Sequence, residues 1–305
     1  MSALVHIGAG FDFEATQGLQ HGGRHLRGRG IVEVVKARLR QAWKLPLEED
    51  WIETQRTHCC WLRERPRVAF DIDQTTSRVR HQTVAMSRCD IREVTIPPVD
   101  LAGTLRVPAR PRGVVVFAHG SGSSRHSPRN NAVADALAER GYASLLFDLL
   151  TVEEEADRAN VFDISLLARR LVDAIRWAAT ELTLRDLPIG LFGASTGAAA
   201  ALVAAAELGS RIAALVSRGG RPDLAGDALE RVRTPSLLIV GGADEPVIEL
   251  NEIALARLNA EKSLAIVPGA THLFPERGAL EAVIEEACRW FDTHLASERL
   301  ATPNG

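Results

Sequence analysis

The sequence predicts an α/β fold in which helices cover both faces of a mostly parallel sheet. Three observations lead to this prediction. Short apolar runs alternate with longer segments from about residue 89 to residue 296, which is the order of β-α-β units. Several of the runs, such as 114–118 and 236–240, are continuously apolar, as expected of strands buried on both faces. The longer segments between them place apolar residues at helical spacing.

The strands follow one another in a regular order. Residues 91–96 and 101–107 alternate polar and apolar side chains on either side of Pro97-Pro98, which predicts an antiparallel pair at the start of the sheet. The remaining apolar runs predict parallel strands, and they are 114–118, 143–147, the run from Leu187, 212–216, 236–240 and 263–267.

Four helices are predicted between or after these strands. The first covers about 130–140 and is ended by Gly141. Asp163 is a candidate cap for a long helix to about residue 182. A helix of small residues follows Gly197, and an amphipathic helix covers about 279–295. The segment between the strands at 212–216 and 236–240 is short, so we expect no large helical cap over the sheet.

The first 88 residues differ from the rest of the chain. They are richer in Arg, His and Trp and show weak periodicity, apart from a candidate helix at 31–43 and a basic, glycine-rich loop at 21–30. We therefore predict three regions: a small, partly helical N-terminal extension at 1–88, the α/β domain at 89–296, and a flexible tail at 297–305.

Composition excludes several classes of function. The 305 residues carry a formal net charge of −3 and are 46% hydrophobic and 25% charged, which gives no general affinity for nucleic acid or acidic membranes. No apolar run is long enough for a membrane span, and the N-terminus does not resemble a secretory signal, so we expect a cytoplasmic protein. The cysteines form no C-x-x-C pair and are interpreted as free thiols rather than a zinc site; they are Cys59, Cys60, Cys89 and Cys288.

The stretch Gly193-Ala-Ser-Thr-Gly197 lies between an apolar strand and a helix of small residues. A serine at such a strand-turn-helix junction is held out at the edge of the sheet as a nucleophile, and the flanking glycines leave room for the tight turn. Ser195 is therefore the candidate nucleophile. The motif alone is weak, so its context and its partners must decide.

A serine hydroxyl needs a base to accept its proton and an acid to orient that base. Asp244 follows the strand at 236–240 and a glycine pair, and His272 follows the strand at 263–267. Both therefore come after strands whose carboxyl ends share one edge of the sheet. Glu245 is the alternative acid. An aspartate after a strand is also a common turn residue, and a single histidine is often a packing residue, but the chain order Ser, Asp, His fits a hydrolase triad.

The amide of Thr196 is one candidate donor to an oxyanion. The second is expected in the loop after the strand at 114–118, where Ser121 is favoured and Gly120 or Gly122 are alternatives. The alternative interpretation of this loop is a flexible polar segment without a catalytic role.

Other polar residues near these loops have two interpretations each. His119 and His126 precede the nucleophile and are read as structural or substrate-edge residues. Arg125 and Arg129 either bind an anionic group or are solvated charges. Asp148 ends a strand, and a hydrogen bond to a neighbouring loop is favoured over catalysis.

These motifs resemble the α/β-hydrolase superfamily, in particular its dienelactone-hydrolase-like branch, over residues 89–296. The resemblance rests on four motifs, namely 118–124, 193–197, 240–244 and 269–272. It implies an α/β-hydrolase fold and a triad of Ser195, Asp244 and His272. The hydrolases that name this branch use a cysteine nucleophile, whereas this chain has Ser195, which favours ordinary esters over dienelactone. Relatives of this type are often fused to a phosphoribosyltransferase, and residues 1–88 are too short for that domain.

The expected function is cleavage of short-chain carboxylic esters through an acyl-enzyme, with a small-molecule ester as the partner and no metal or organic cofactor. Two classes of alternative stay open. The same triad serves thioesterases, lactonases, acyltransferases and perhydrolases, and the fold is also used as a non-catalytic binding module.

Overall fold

A computed structural model describes residues 5–7, as backbone only, and residues 89–295. The chain divides into two units, residues 1–11 with 85–305 and residues 12–84, and the second unit lies outside the described residues. The predicted helix at 31–43, the basic loop at 21–30 and the tail at 297–305 also lie outside them.

One sheet of nine strands forms the centre of the described part of the chain. Its strands are β1 (Val5–Ile7), β2 (Asp90–Ile96), β3 (Leu101–Val107), β4 (Gly113–Ala118), β5 (Tyr142–Phe147), β6 (Ile189–Ala194), β7 (Ile212–Arg218), β8 (Ser236–Gly241) and β9 (Lys262–Val267). Their order across the sheet is β1-β9-β8-β7-β6-β4-β5-β3-β2. The six strands β4 to β9 are paired in parallel. Strands β1, β2 and β3 are antiparallel to their neighbours.

Helices connect these strands on both faces of the sheet. The α-helices are α1 (Pro128–Glu139), α2 (Val152–Glu155), α3 (Arg158–Val161), α4 (Ile164–Ala178), α5 (Thr196–Leu208), α6 (Glu245–Arg257) and α7 (Ala279–His294). Two 3₁₀ segments, Gly209–Arg211 and Pro222–Arg231, lie on either side of β7. The second of these fills the connection between β7 and β8, so no large cap is inserted there.

The predicted strands β2 to β9 are confirmed, with small differences at their ends. The predicted helix from Asp163 ends at Ala178 rather than near residue 182. Asp163 does cap it, by accepting a hydrogen bond from the Leu166 N–H at 2.9 Å. The helix stops early because Thr180 N–H donates to the Trp177 carbonyl, a three-residue turn that tightens its last turn. The strand β1 and the helices α2, α3 and α6 were not specifically predicted.

The two faces of the sheet bury separate apolar layers. The face under α4 and α5 packs β-strand residues such as Leu191 and Leu215 against the alanine-rich α5. The opposite face packs Phe192, Val216 and their neighbours against α1 and α7. Because side chains alternate along a strand, residue 217 points to the first face and residue 218 to the second.

Cys89 and Cys288 are free thiols, as predicted, whereas Cys59 and Cys60 lie outside the described residues. Burial raises the pKa of the Cys288 thiol to about 11. Within residues 5–7 and 89–295, none of the helices has the length and apolar character that crossing a membrane requires.

Candidate active site

Ser195 occupies the sharp turn between β6 and α5. Its backbone has φ 50° and ψ −121°, a conformation that costs energy for a residue with a side chain and that is typical of a nucleophile turn. A Cβ atom at Gly193 would lie 2.5 Å from Ala198 Cα, and one at Gly197 would lie 2.2 Å from the Ala118 carbonyl oxygen. Both flanking glycines are therefore required by close backbone approaches, as the sequence motif predicts.

Backbone hydrogen bonds hold this strained residue in place. Ser195 N–H donates to the Arg218 carbonyl at 3.2 Å, and Arg221 N–H donates to the Ser195 carbonyl at 3.0 Å. The nucleophile turn is thus fastened to the loop that follows β7, which positions its hydroxyl at the carboxyl edge of the sheet.

His272 and Asp244 are brought together by the loops after β9 and β8. His272 Nδ1 lies 2.7 Å from Asp244 Oδ2, and the Asp244 side chain is only 15% exposed. An acid in this position fixes the imidazole tautomer that leaves Nε2 free to accept a proton. Glu245, the alternative acid, is exposed as the first residue of α6 and makes no described hydrogen bond to His272.

Ser195 and His272 flank the same short loop. A Cβ atom at Gly219 would lie 2.9 Å from the His272 carbonyl oxygen and 3.7 Å from His272 Cε1, and the neighbouring Arg218 carbonyl receives the Ser195 N–H. Among the described residues, no hydrogen bond joins the Ser195 hydroxyl to His272. Catalytic hydrogen bonds in ligand-free enzymes are often long and tighten when substrate binds.

The loop after β4 passes close to Ser195. A Cβ atom at Gly120 would lie 2.9 Å from Ser195 Cβ, so this loop leaves no room there for a side chain. Ser121 N–H donates to Thr196 Oγ1 at 3.0 Å, and Thr196 is 4% exposed. The Ser121 amide, which the sequence favours as an oxyanion donor, is therefore already paired with the hydroxyl of the residue that carries the other expected donor.

His119 fixes the same loop to the end of β5. Its Nδ1 lies 2.9 Å from the Gly120 carbonyl oxygen, and its Nε2 accepts the Leu149 N–H at 3.0 Å. Both ring nitrogens are thus engaged by backbone groups, and burial lowers the pKa of His119. A neutral, fully bonded imidazole supports the structural reading of this residue over a role as a base.

The two arginines that the sequence pairs as candidate anion ligands differ in the structure. Arg125 forms an ion pair with Asp148, which also accepts the Arg125 N–H at 2.7 Å. The favoured interpretation of Asp148 as a partner of a neighbouring loop is confirmed. Arg129 has no described ion pair or side-chain hydrogen bond, and burial lowers its pKa.

The sequence places the segment 217–222 at the same edge of the sheet, as a pocket lining or a turn, but does not single out Arg218. This residue ends β7, is 6% exposed, and donates from Nη2 to Asn130 Oδ1 at 3.0 Å. The available signal was a charged residue two positions after the apolar run at 212–216, where the strand continues. Charged side chains are almost never fully buried unless they are paired.

Two cavities open near the catalytic edge, one on each face of the sheet. The first, of about 80 Å³, is lined on its apolar side by Leu149, Leu150, Val161 and Leu167 and on its polar side by the 119–124 loop and Thr196. The second, of about 300 Å³, is lined by Arg129 and by the loop and helix start at 273–281. No three of the described His, Cys, Asp and Glu side chains are grouped to hold a metal ion.

Residues 111–294 match the model of a family described as "Alpha/beta hydrolase domain". The chain is also 61% identical over 203 residues to a Mycobacterium tuberculosis protein named "Putative phosphoribosyl transferase". This match covers 67% of the chain and 46% of the relative, so the chain spans about half the length of that curated protein.

Two solved structures extend the comparison. A dienelactone hydrolase from Anabaena variabilis is 52% identical, with a TM-score of 0.65 and coverage of 68% of this chain and 99% of the other. Est1E from Butyrivibrio proteoclasticus is 17% identical, with a TM-score of 0.56 and coverage of 67% and 99%. The second likeness concerns the fold alone.

Proposed function

The chain belongs to the alpha/beta hydrolase family, and on that premise we propose that it is a serine esterase that cleaves short-chain carboxylic esters through an acyl-enzyme. The observation that carries the proposal is the 2.7 Å hydrogen bond between His272 and Asp244, next to a strained Ser195 at the carboxyl edge of the sheet. A nucleophile, a base and an acid in this arrangement are the parts that acyl transfer needs.

The reaction begins when the Ser195 hydroxyl attacks the ester carbonyl. His272 Nε2 accepts the hydroxyl proton, and Asp244 accepts the Nδ1–H hydrogen bond and stabilises the imidazolium. The imidazolium then gives its proton to the departing alkoxide, which leaves as the alcohol, and the acyl group stays on Ser195.

Water completes the cycle. His272 takes a proton from a water molecule as its oxygen attacks the acyl carbonyl, and the same proton returns to Ser195 Oγ when the carboxylic acid is released. All protons are balanced by this one imidazole, so the proposal requires no metal or organic cofactor.

The oxyanion of each tetrahedral intermediate is assigned to Thr196 and Ser121. The Thr196 N–H is the first donor. The Ser121 N–H donates to Thr196 Oγ1, and the same hydroxyl still carries a hydrogen of its own. Ser121 therefore acts in one of two ways. Its N–H moves its hydrogen bond from Thr196 Oγ1 to the oxyanion, or it keeps that bond and polarises the Thr196 hydroxyl, which then donates to the oxyanion.

The first cavity is the proposed acyl site. It reaches from Thr196 and the 119–124 loop to the apolar side chains of Leu149, Leu150 and Leu167. An apolar chain bound there would place its carbonyl beside the oxyanion donors. The limited size of this cavity favours short acyl groups.

A second candidate function is lactone hydrolysis, which uses the same triad on a cyclic ester. It is favoured by the 52% identity to a protein named as a dienelactone hydrolase. The phosphoribosyl transferase name belongs to a relative that is about twice as long as the matched stretch, and no geometry among residues 89–295 adds support for that activity.

The test is a panel of p-nitrophenyl esters of increasing acyl length, together with lactones of matched size. We expect turnover that is highest for short acyl chains and that falls in the Ser195→Ala variant by roughly a million-fold, as when a triad serine is removed. Ser210→Ala, which changes an exposed serine between α5 and β7, is the matched control and should keep the wild-type rate. Near wild-type turnover by Ser195→Ala would refute the proposal, and turnover of lactones alone would favour the second candidate.

A further inference from the structure

Arg129 forms part of the wall of the second cavity, and Arg218 donates to the side chain of Asn130, the residue after Arg129. Neither arginine has a carboxylate partner among the described residues. We propose that this arginine pair is a subsite for an anionic group, a carboxylate or a phosphate, on the alcohol portion of the ester. This inference rests on the proposed esterase function and names the class of substrate that it would take.

Arg218 is the more deeply placed member of the pair. It is 6% exposed, its described side-chain hydrogen bond goes to the neutral Asn130 Oδ1, and its Nε is buried without a partner. Burial, followed by the positive charge of Arg129, lowers the pKa of Arg218 to about 10. The nearby charge that acts on this guanidinium is thus of the same sign.

Arg129 is half-buried at the start of α1, and its Nε is also buried without a partner. Burial lowers its pKa, and no carboxylate raises it. Its side chain forms part of the wall of the second cavity. One arginine is therefore open to a ligand, and the other adds to the positive potential there.

Two neighbouring arginines without a counter-ion destabilise the folded protein, because each loses hydration and each repels the other. Guanidinium groups bind carboxylate and phosphate oxygens through paired N–H donors. An anion in the second cavity would supply the missing negative charge and acceptors for the unused N–H groups of Arg129. A destabilising charge beside a cavity is also typical of functional sites, which are often less stable than the rest of the protein.

The rim of the second cavity also contains Glu276, Glu281 and Arg277. Glu276 Oε1 accepts hydrogen bonds from the Thr271 hydroxyl at 2.6 Å and from the Thr271 N–H at 3.1 Å. Neither glutamate forms a described ion pair with Arg129. The arginine pair is therefore not neutralised by the carboxylates nearest to it in this cavity.

The position of the pair indicates which part of the substrate carries the anion. The backbone carbonyl of Arg218 accepts a hydrogen bond from the Ser195 N–H. Arg129 lines the second cavity together with Leu273 and Phe274, the two residues after His272. The base that protonates the leaving alkoxide must lie on the alcohol side of the scissile bond. The acyl chain would then occupy the first cavity, and the anionic alcohol the second.

The experiment compares three butyrate esters with phenolic leaving groups: para-hydroxybenzamide, which is neutral, para-hydroxybenzoate, and para-hydroxyphenyl phosphate. We expect the wild type to prefer at least one anionic ester by roughly 10- to 100-fold in kcat/KM, mainly through a lower KM, as for a charged hydrogen bond to substrate. The ester that gains more distinguishes a carboxylate from a phosphate ligand.

Variants connect this preference to the pair. Arg129→Gln should abolish the preference for the anionic esters, and Arg129→Lys should keep part of it. Arg185→Gln removes the same charge from an exposed side chain before the start of β6, at the opposite edge of the sheet, and should keep the full preference. Equal kcat/KM for all three esters in the wild type, or the same preference in Arg129→Gln, would overturn the subsite.

A binding measurement separates failure of the subsite from failure of the esterase proposal. Isothermal titration with para-hydroxybenzoate and with para-hydroxyphenyl phosphate should show binding to the wild type and to Ser195→Ala, and a loss of roughly 10-fold or more in Arg129→Gln. Binding without turnover of any ester would contradict the esterase proposal and retain the anion site. Turnover of the neutral ester without anion binding would contradict the anion site and retain the esterase proposal.

Discussion

The two cavities near Ser195 differ in the charges that surround them. Beside the first cavity, Arg125 is paired with Asp148, Arg170 with Glu154, and both nitrogens of His119 bond to backbone groups. At the second cavity, Arg129 and the nearby Arg218 have no carboxylate partner among the described residues. Paired charges hold the 119–124 loop at the first cavity, whereas the second has a charge without a partner.

We infer from this difference that the two cavities bind different parts of the substrate. Satisfied polar groups make a wall rigid and leave apolar surface as the contact with substrate. Unsatisfied arginines, in contrast, gain most from an anion that arrives with the substrate. We therefore assign the acyl group to the first cavity and the alcohol portion to the second, and the following variants test each assignment.

The largest effect is expected at the triad, on which both sides depend. Asp244→Asn would leave His272 with the wrong tautomer for accepting the Ser195 proton, and kcat should fall by roughly 10³- to 10⁴-fold. The neighbouring Glu245→Gln removes an exposed charge and should stay within about twofold of wild type. Initial rates with a short p-nitrophenyl ester measure both, and equal losses in the two variants would contradict the assignment of the acid.

A smaller loss tests the oxyanion side of the first cavity. Thr196→Val keeps the backbone N–H but removes the hydroxyl that accepts the Ser121 N–H. We expect kcat to fall by roughly 10- to 100-fold with little change in KM, because the lost interaction is made in the transition state. Thr196→Ser should retain most of the activity. A rise in KM with an unchanged kcat would show that the hydroxyl binds ground-state substrate instead.

The comparison itself is tested by the stability of two arginine variants. Arg125→Gln leaves the partly buried Asp148 without its cation and should lower the free energy of unfolding by about 1–3 kcal/mol. Arg129→Gln removes an unpaired charge that repels Arg218 and should be neutral or stabilising. Urea unfolding of both variants gives the two values. A strong destabilisation by Arg129→Gln would mean that this arginine supports the fold rather than a ligand.

The smallest effect concerns His119 and pH. Burial lowers the pKa of His119 below its usual 6.5 in the folded protein, so the unfolded chain binds the proton first. The contribution of His119 to the free energy of unfolding is therefore fully present above about pH 6.5. It is lost as the pH falls, by at most about 1.4 kcal/mol per pH unit. His119→Gln should reduce this acid loss of unfolding free energy. An unchanged slope between pH 7 and pH 5 would contradict a buried neutral imidazole.

Much of the fold could be predicted because apolar runs of strand length recur along the chain, either alternating or continuous. Strands β2 to β9 fall where continuous or alternating apolar residues predict them, and Gly193 and Gly197 are needed for the contacts that the motif implies. The loops that bear Asp244 and His272 were also predictable, since neighbouring parallel strands end at one edge of the sheet.

The remaining features depend on contacts that no local pattern encodes. Asn130 and Arg218 are 88 residues apart and meet only because α1 packs beside the end of β7. The hydrogen bond from Ser121 to Thr196 likewise joins two loops that the sequence places 75 residues apart. Local spacing could nominate Arg125 and Arg129 together, but only the fold separates the paired one from the unpaired one.

The proposed mechanism depends on Ser195 being an activated nucleophile, and labelling with a fluorophosphonate probe tests this in one measurement. We expect a single phosphonyl group on the folded protein, mapped by tandem mass spectrometry to the peptide at Ser195 and lost in His272→Ala. A folded protein that takes up no probe, or that carries it on another residue, would rule out Ser195 as the nucleophile.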